Sequence, residues 1–187
     1  MSTLFGDEMA VVKHNNKNEW YTNAKYIEAA RSVMGGIDLD PASCAEANKT
    51  VRAARYYSLE DDGITSTWYG NVWLNAPFSE QAIWTQKAVR EYEHGSLQQI
   101  ILLLQAATER VWFQPLYTYP ICFANHQIMF NRPNAEPYHI YHGICFVYLG
   151  ANEAKFIEVF SQFGHIVKAI DTPKSTTVQP SLWEVSA

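Results

Sequence analysis

Short apolar runs alternate along this chain with longer segments whose apolar residues recur at helical spacing. Residues 99–104 form a near-continuous apolar run, the mark of a buried parallel strand, and residues 143–149 form another. Val72, Trp73 and Leu74 make a shorter run that Pro77 stops. Ile37-Asp38-Leu39-Asp40 alternates apolar and acidic positions and reads as the first strand, with Tyr56-Tyr57 as a second.

Helical spacing predicts a helix over residues 23–34, with Tyr26, Ile27, Ala30, Val33 and Met34 inward, Thr22 as its cap and Gly35-Gly36 as its stop. A short helix over 44–48 has Ser43 as candidate cap. Ser79 caps a helix running to about His94, with Ile83, Trp84, Ala88, Val89 and Tyr92 on its inner face. Thr108 caps one carrying Val111, Trp112, Phe113 and Leu116, kinked at Pro115. The last carries Phe156, Ile157, Val159, Phe160 and Phe163.

Residues 120–123 and 127–130 read as two strands of a hairpin about Ala124-Asn125-His126. A loop containing Pro, Asn and His follows over 131–142, and Ile166-Val167 is an edge strand. Residues 1–18 read as a loose arm and 171–187 as a tail, leaving one domain over 19–170. The alternation of elements predicts a three-layer α/β fold with a mostly parallel sheet. The short interval between Asp40 and Asn75 leaves room only for abbreviated helices.

Composition narrows the classes. Of 187 residues 48% are hydrophobic and 18% charged, a globular balance with apolar mass for a core. A net charge of −5 argues against a tight non-specific nucleic-acid binder, whose affinity comes from cations neutralising phosphates. It leaves room for DNA contact through one small basic face; Lys49, Arg52 and Arg55 form the densest basic cluster. Cys44, Cys122 and Cys145 are odd in number and lack metal spacing, so a reduced cytoplasmic setting is expected. The six His are scattered, so no metal site is read. No signal peptide is read, and no apolar run approaches the ~20 residues of a membrane span.

The candidate chemistry sits in Asn75-Ala76-Pro77-Phe78. Alone, Asn-x-Pro-Phe is an ordinary turn. At the carboxyl end of a buried strand, where open α/β sheets place ligands, it reads as a candidate amine site. The Asn75 oxygen and the Ala76 carbonyl can accept two N–H donors of a flat heterocycle while Phe78 covers its face. Asp38 and Asp40 end a second strand beside a helix N-terminus. Two carboxylates there suit a ribose diol or an ammonium group, not a phosphate; one of them capping the helix is the plainer reading.

Taken in order, Trp20-Tyr21-Thr22, Ile37-Asp38-Leu39-Asp40-Pro41-Ala42-Ser43, an acidic Asp-Gly turn, Trp68-x-Gly-Asn-Val-Trp-Leu-Asn-x-Pro-Phe78 and Ala107-Thr-Glu-x-x-Trp-Phe113 resemble the phage-type DNA adenine-N6 methyltransferase (Dam-like) family. The resemblance spans roughly residues 19–168. It implies a Rossmann-like S-adenosylmethionine-dependent fold in the cytoplasm of a bacterial host, encoded by a phage or prophage. It implies that Asn75 and the residue-76 carbonyl hold the target N6 amine, that Pro77 keeps the turn extended, and that Phe78 stacks on a flipped base. Asp38, Asp40 and Pro41 match the cofactor-binding strand end, Trp20, Tyr21 and Thr22 would wall that pocket, and Asp62 would contact a ligand nearby. Lys49, Arg52, His126, Arg132 and Tyr138 are the candidate substrate contacts.

Position 76 is Ala where the family carries Pro, and 23 is Asn where Pro usually follows Thr. Residues 101–150 hold only Arg110 and Arg132 as cations of that kind, where relatives tend to carry arginines. DNA affinity is therefore expected to be low, or supplied by a second copy or another chain. Two other readings stay open: a catalytically impaired module that binds or regulates, and an amino-methyltransferase acting on cytosine N4 or another nucleobase.

Overall fold

A computed structural model describes residues 20–132, 135–139 and 142–170. The expected arm and tail lie outside them. The elements run β1 (Tyr21–Thr22), α1 (Ala24–Met34), β2 (Leu39–Asp40), α2 (Ala45–Val51), β3 (Arg55–Tyr56), β4 (Gly70–Leu74), α3 (Gln81–Glu93) and β5 (Leu97–Gln105). A 3-10 helix, η1 (Val111–Thr118), follows. Then come β6 (Ile121–Ala124), β7 (Met129–Arg132), β8 (Ala135–His139), β9 (Ile144–Leu149), α4 (Glu153–Phe160) and β10 (Gly164–Val167).

Seven strands form one mixed sheet in the order β10-β6-β9-β5-β4-β2-β3. Pairing is parallel from β3 through β2 and β4 to β5, and antiparallel from β5 through β9 and β6 to β10. The sheet is thus parallel on one side only: β5, read as a parallel strand, is parallel to β4 and antiparallel to β9.

Alternation along the strands divides the core in two. Trp73, Ile101, Leu103, Phe146 and Tyr148 face α1 and α4 through Ile27, Ala30, Phe156 and Phe160. Val72, Leu74, Ile100, Leu102, Leu104 and Val147 face α3 and η1 through Trp84, Ala88, Phe113 and Leu116. Such fully buried aliphatic and aromatic side chains each contribute about 1.5–3 kcal/mol, so the central strands anchor the fold. Only the seven residues of α2 intervene as α-helix between β2 and β4, the expected abbreviation. Among the described residues no helix is long and apolar enough to cross a membrane.

The expected hairpin of residues 120–123 with 127–130 does not form. β6 is paired on both edges, by β9 and β10, and has no free edge to offer. The chain instead leaves the rim and builds a second sheet, order β1-β7-β8. Part of the expected 131–142 loop is β8, paired with β7 as Met129↔His139 and Phe130↔Tyr138. Pro137 hides it in the sequence, yet proline is tolerated on an edge strand, which β8 is.

Several caps also differ. Thr22 is drawn into β1 opposite Phe130, and Asn23 caps α1 by accepting from the Lys25 N–H. The α1 stop is as expected, with Gly35 left-handed at φ 77°. Cys44, not Ser43, caps α2, its Sγ accepting from the Ala47 N–H. The N-cap of α3 is Glu80 rather than Ser79, and that of η1 is Arg110 rather than Thr108; neither side chain makes a cap bond. The inner face of α3 is turned as well: Gln81 and Thr85 are buried, whereas Ile83 is 49% exposed.

Candidate active site

β2 and β4 are adjacent and parallel, with Leu39 opposite Val72. Asp40 and Asn75 therefore leave the sheet at one rim, and both line a single cavity of about 160 Å³. Its walls come from Trp20, Tyr21 and Thr22 on the β1 side, from Ala42, Ser43 and Cys44 after β2, and from Ala47 and Val51 of α2. Trp73 and the whole Asn75-Ala76-Pro77-Phe78 turn complete it.

Asp40 is 3% exposed, and burial pushes its carboxyl up to about 7. The Ser43 hydroxyl and the Ala42 N–H, the latter 3.4 Å from Oδ1, pull partly the other way. Ser43 lies near the carboxyl without reaching ordinary hydrogen-bond geometry, so its buried Oγ has no partner. The Thr22 Oγ1, in a residue 5% exposed, also has none. No Lys, Arg or His lines the cavity among the described residues. A buried carboxyl without a cation and two unpartnered hydroxyls form a polar end suited to a ligand that brings positive charge and hydrogen-bonding groups. Trp73, Val51 and Ala47 add an apolar wall.

At the other end the Asn75 Nδ2 donates to the Trp20 carbonyl at 2.8 Å. A carbonyl can only accept, so this bond fixes which side of the amide is nitrogen and leaves Oδ1 as the acceptor on its other side. Ala76 is buried, Pro77 is exposed and Phe78 is half-buried, its ring meeting Phe130 edge-on at 6.0 Å and 87°. The missing proline at 76 leaves the local path usable: β4 ends at Leu74, and the carbonyl-bearing turn stays at the rim.

Other candidates fall elsewhere. Asp38 does not line the cavity; its Oδ2 accepts the Asn71 N–H at 2.8 Å and ties the residue before β2 to β4. Pro41 is buried behind the cavity, its carbonyl so close to Gly63 that a Cβ there would lie 1.9 Å from the oxygen. Asp62 adopts φ 48° and holds its own turn, accepting from the Ile64 N–H at 3.1 Å. Lys49 pairs with Glu46 and Arg52 with Glu28, all on the surface. His126 bonds Tyr26 Oη at 2.8 Å and Asn125 Oδ1 at 3.0 Å, which engages both ring nitrogens outside the cavity. Arg132 and Tyr138 occupy β7 and β8 of the small sheet.

Sequence reading missed Ser43, Cys44 and Ala47 as lining residues; their place directly after the Asp40 strand end was the available signal. Trp73 carried none, since a buried strand residue reads as core.

Residues 10–138 match the family described as DNA N-6-adenine-methyltransferase (Dam). A DNA N-6-adenine-methyltransferase of Escherichia phage T1 is 35% identical over 96 residues, covering 50% of this chain and 38% of that protein. The chain thus aligns with well under half the length of this curated relative. The family match takes in both motif-bearing strand ends and the cavity between them, and the chain belongs to the DNA N-6-adenine-methyltransferase (Dam) family.

Proposed function

We propose that this chain transfers a methyl group from S-adenosylmethionine to the exocyclic N6 amine of a DNA adenine, on a sheet that is Rossmann-like. The observation that carries the reading is the shared cavity: Asp40 and Asn75, at the ends of adjacent parallel strands, face the same space. Parallel sheets bind ligands at such carboxyl ends.

The polar end fits the donor. S-adenosylmethionine supplies an electrophilic methyl on a cationic sulfur, together with an ammonium group and a ribose diol. Asp40 meets positive charge there, and the Thr22 and Ser43 hydroxyls offer hydrogen bonds to groups that enter. Asn75 Oδ1 and the Ala76 carbonyl accept the two amine hydrogens of the target base. Accepting both holds the nitrogen lone pair away from conjugation with the ring and aimed at the donor side of the cavity. Phe78 covers the base face once adenine has left the stack, which makes double-stranded DNA with a flipped base the substrate. The cytoplasm of a bacterial host, with a phage or prophage gene, is the setting consistent with the phage relative.

A second reading keeps the cavity and drops the catalysis. The net charge of −5 and the ion-paired state of Lys49 and Arg52 favour a regulatory or binding module, or a DNA contact supplied by a second copy or partner. One experiment separates the two. The chain is expressed in a methylation-deficient bacterial host and its DNA nucleosides are analysed by mass spectrometry beside the Asn75→Ala variant. N6-methyladenine from the wild type alone supports the enzyme; methylated cytosine moves the acceptor to N4. No modified base, with donor still raising the melting temperature, supports the module.

A further inference from the structure

Phe130 lies at the centre of an aromatic trio that no motif announced. It is fully buried on β7, directly opposite Thr22 of β1. Its ring meets Trp20 edge-on at 6.4 Å and 78°, and Phe78 edge-on at 6.0 Å and 87°. Those two neighbours line the same cavity as Asn75. Trp20 supplies the carbonyl that holds the Asn75 amide, and Phe78 closes the same turn three residues on. Phe130 does not itself line the cavity.

We infer that Phe130 is a positioning residue for the amine acceptor: wedged between Trp20 and Phe78, it sets at once the orientation of the Asn75 amide and the plane of the ring meant to cover the base. This rests on the proposed function and adds to it a residue from a separate sheet. Edge-to-face packing is directional, so one ring held at near right angles to two others restricts both. Asn75 reaches Trp20 through a single hydrogen bond, so a small shift of the Trp20 segment carries the amide with it. Of the donor contacts, Asp40 and Ser43 lie on β2 and the loop after it, and Thr22 is paired with Phe130 through the β1–β7 backbone ladder, which a change of the Phe130 side chain leaves in place. The Phe130 ring thus bears on the accepting half of the reaction, while the backbone ladder of the same small sheet seats Thr22 at the donating half.

Phe130→Met keeps volume with an unbranched side chain while removing the ring. The expected result is a fall in kcat for DNA methylation of about ten- to hundredfold, the scale of an ångström-level misplacement. Donor affinity by calorimetry stays near wild type, and Phe130→Tyr recovers most of the rate. Because Phe130 acts through both Phe78 and Trp20, the double variant with Phe78→Leu is slower than Phe78→Leu alone, but by less than the full factor that Phe130→Met costs the wild type.

Wild-type turnover in Phe130→Met overturns the inference, as do losses that multiply in the double variant or a donor affinity that falls in step with kcat. If the ring cannot be removed by Met or by Leu without unfolding the chain, Phe130 is a core residue and the inference also fails. A wild-type chain that methylates nothing removes the functional reading itself, which the variants alone do not.

Discussion

The Asn75 amide nitrogen donates to the Trp20 carbonyl across 2.8 Å, joining positions far apart in sequence at one corner of the cavity. Asn75→Asp tests this latch more sharply than truncation does. A carboxylate has no hydrogen to give, so its oxygen meets the Trp20 oxygen and is repelled. The expected outcome is loss of methylation as complete as in Asn75→Ala. Stability should fall by about 1–3 kcal/mol, the cost of leaving the Trp20 carbonyl without its donor. Methylation by Asn75→Asp at the wild-type rate would remove the latch from the account.

Asp40 gives a pH signature. Burial pushes its carboxyl up to about 7, so between about 4 and 7 the folded chain binds a proton that the unfolded chain has lost. Ligand-free stability contributed by this group is therefore present at low pH and lost as pH rises through that window, on the order of a few kcal/mol. A cationic donor favours the ionised form, so donor affinity should rise as pH passes about 7. Melting curves with and without donor, repeated on Asp40→Asn, check both signs; the variant should show neither dependence.

Thr22→Val replaces an unpartnered buried hydroxyl with a methyl of nearly the same shape. Without ligand the variant should be as stable as wild type or more so, because no unsatisfied oxygen is left in the interior. Donor affinity should drop about tenfold if a ligand group is the missing partner, roughly 1.4 kcal/mol. A variant that loses stability and keeps affinity contradicts the site.

Asp38→Ala should behave in the opposite way. It strips the Asn71 N–H of its acceptor, at a cost of about 1–3 kcal/mol, without removing a side chain that lines the cavity. The melting temperature is expected to fall while donor affinity, measured below that temperature, holds.

Much of the layout was legible in the sequence. Within the runs read at 72–74, 99–104 and 143–149, residues 72–74, 100–104 and 144–149 are strands buried on both faces, and that burial writes a continuous apolar signal. The shared rim of Asp40 and Asn75 followed from reading each at a strand end. The small sheet was not legible. β1 has two residues, and β8 carries a proline and no run of strand-forming residues. Its register depends on partners more than a hundred positions away, which local pattern cannot encode. Asp38 and Asp40 looked equivalent, two apart on one strand, yet one is spent on the neighbouring strand's backbone and only the other meets the cavity. Polar Gln81 and Thr85 concealed the true inner face of α3: the Gln81 side chain accepts from the Gln105 N–H of β5, whereas the buried Thr85 hydroxyl has no such partner.

The β1–β7 pairing also dates the site within the life of the chain. During synthesis Asp40, Asn75 and Phe78 emerge early and can take up their sheet positions, but the strand that pins Trp20 beside them is made only with residues 129–132. A ribosome-bound fragment ending before that point would carry every motif of the family signature between Trp20 and Phe113 and still lack a finished amide latch. The amide latch therefore leans on residues that leave the ribosome after every motif residue it serves.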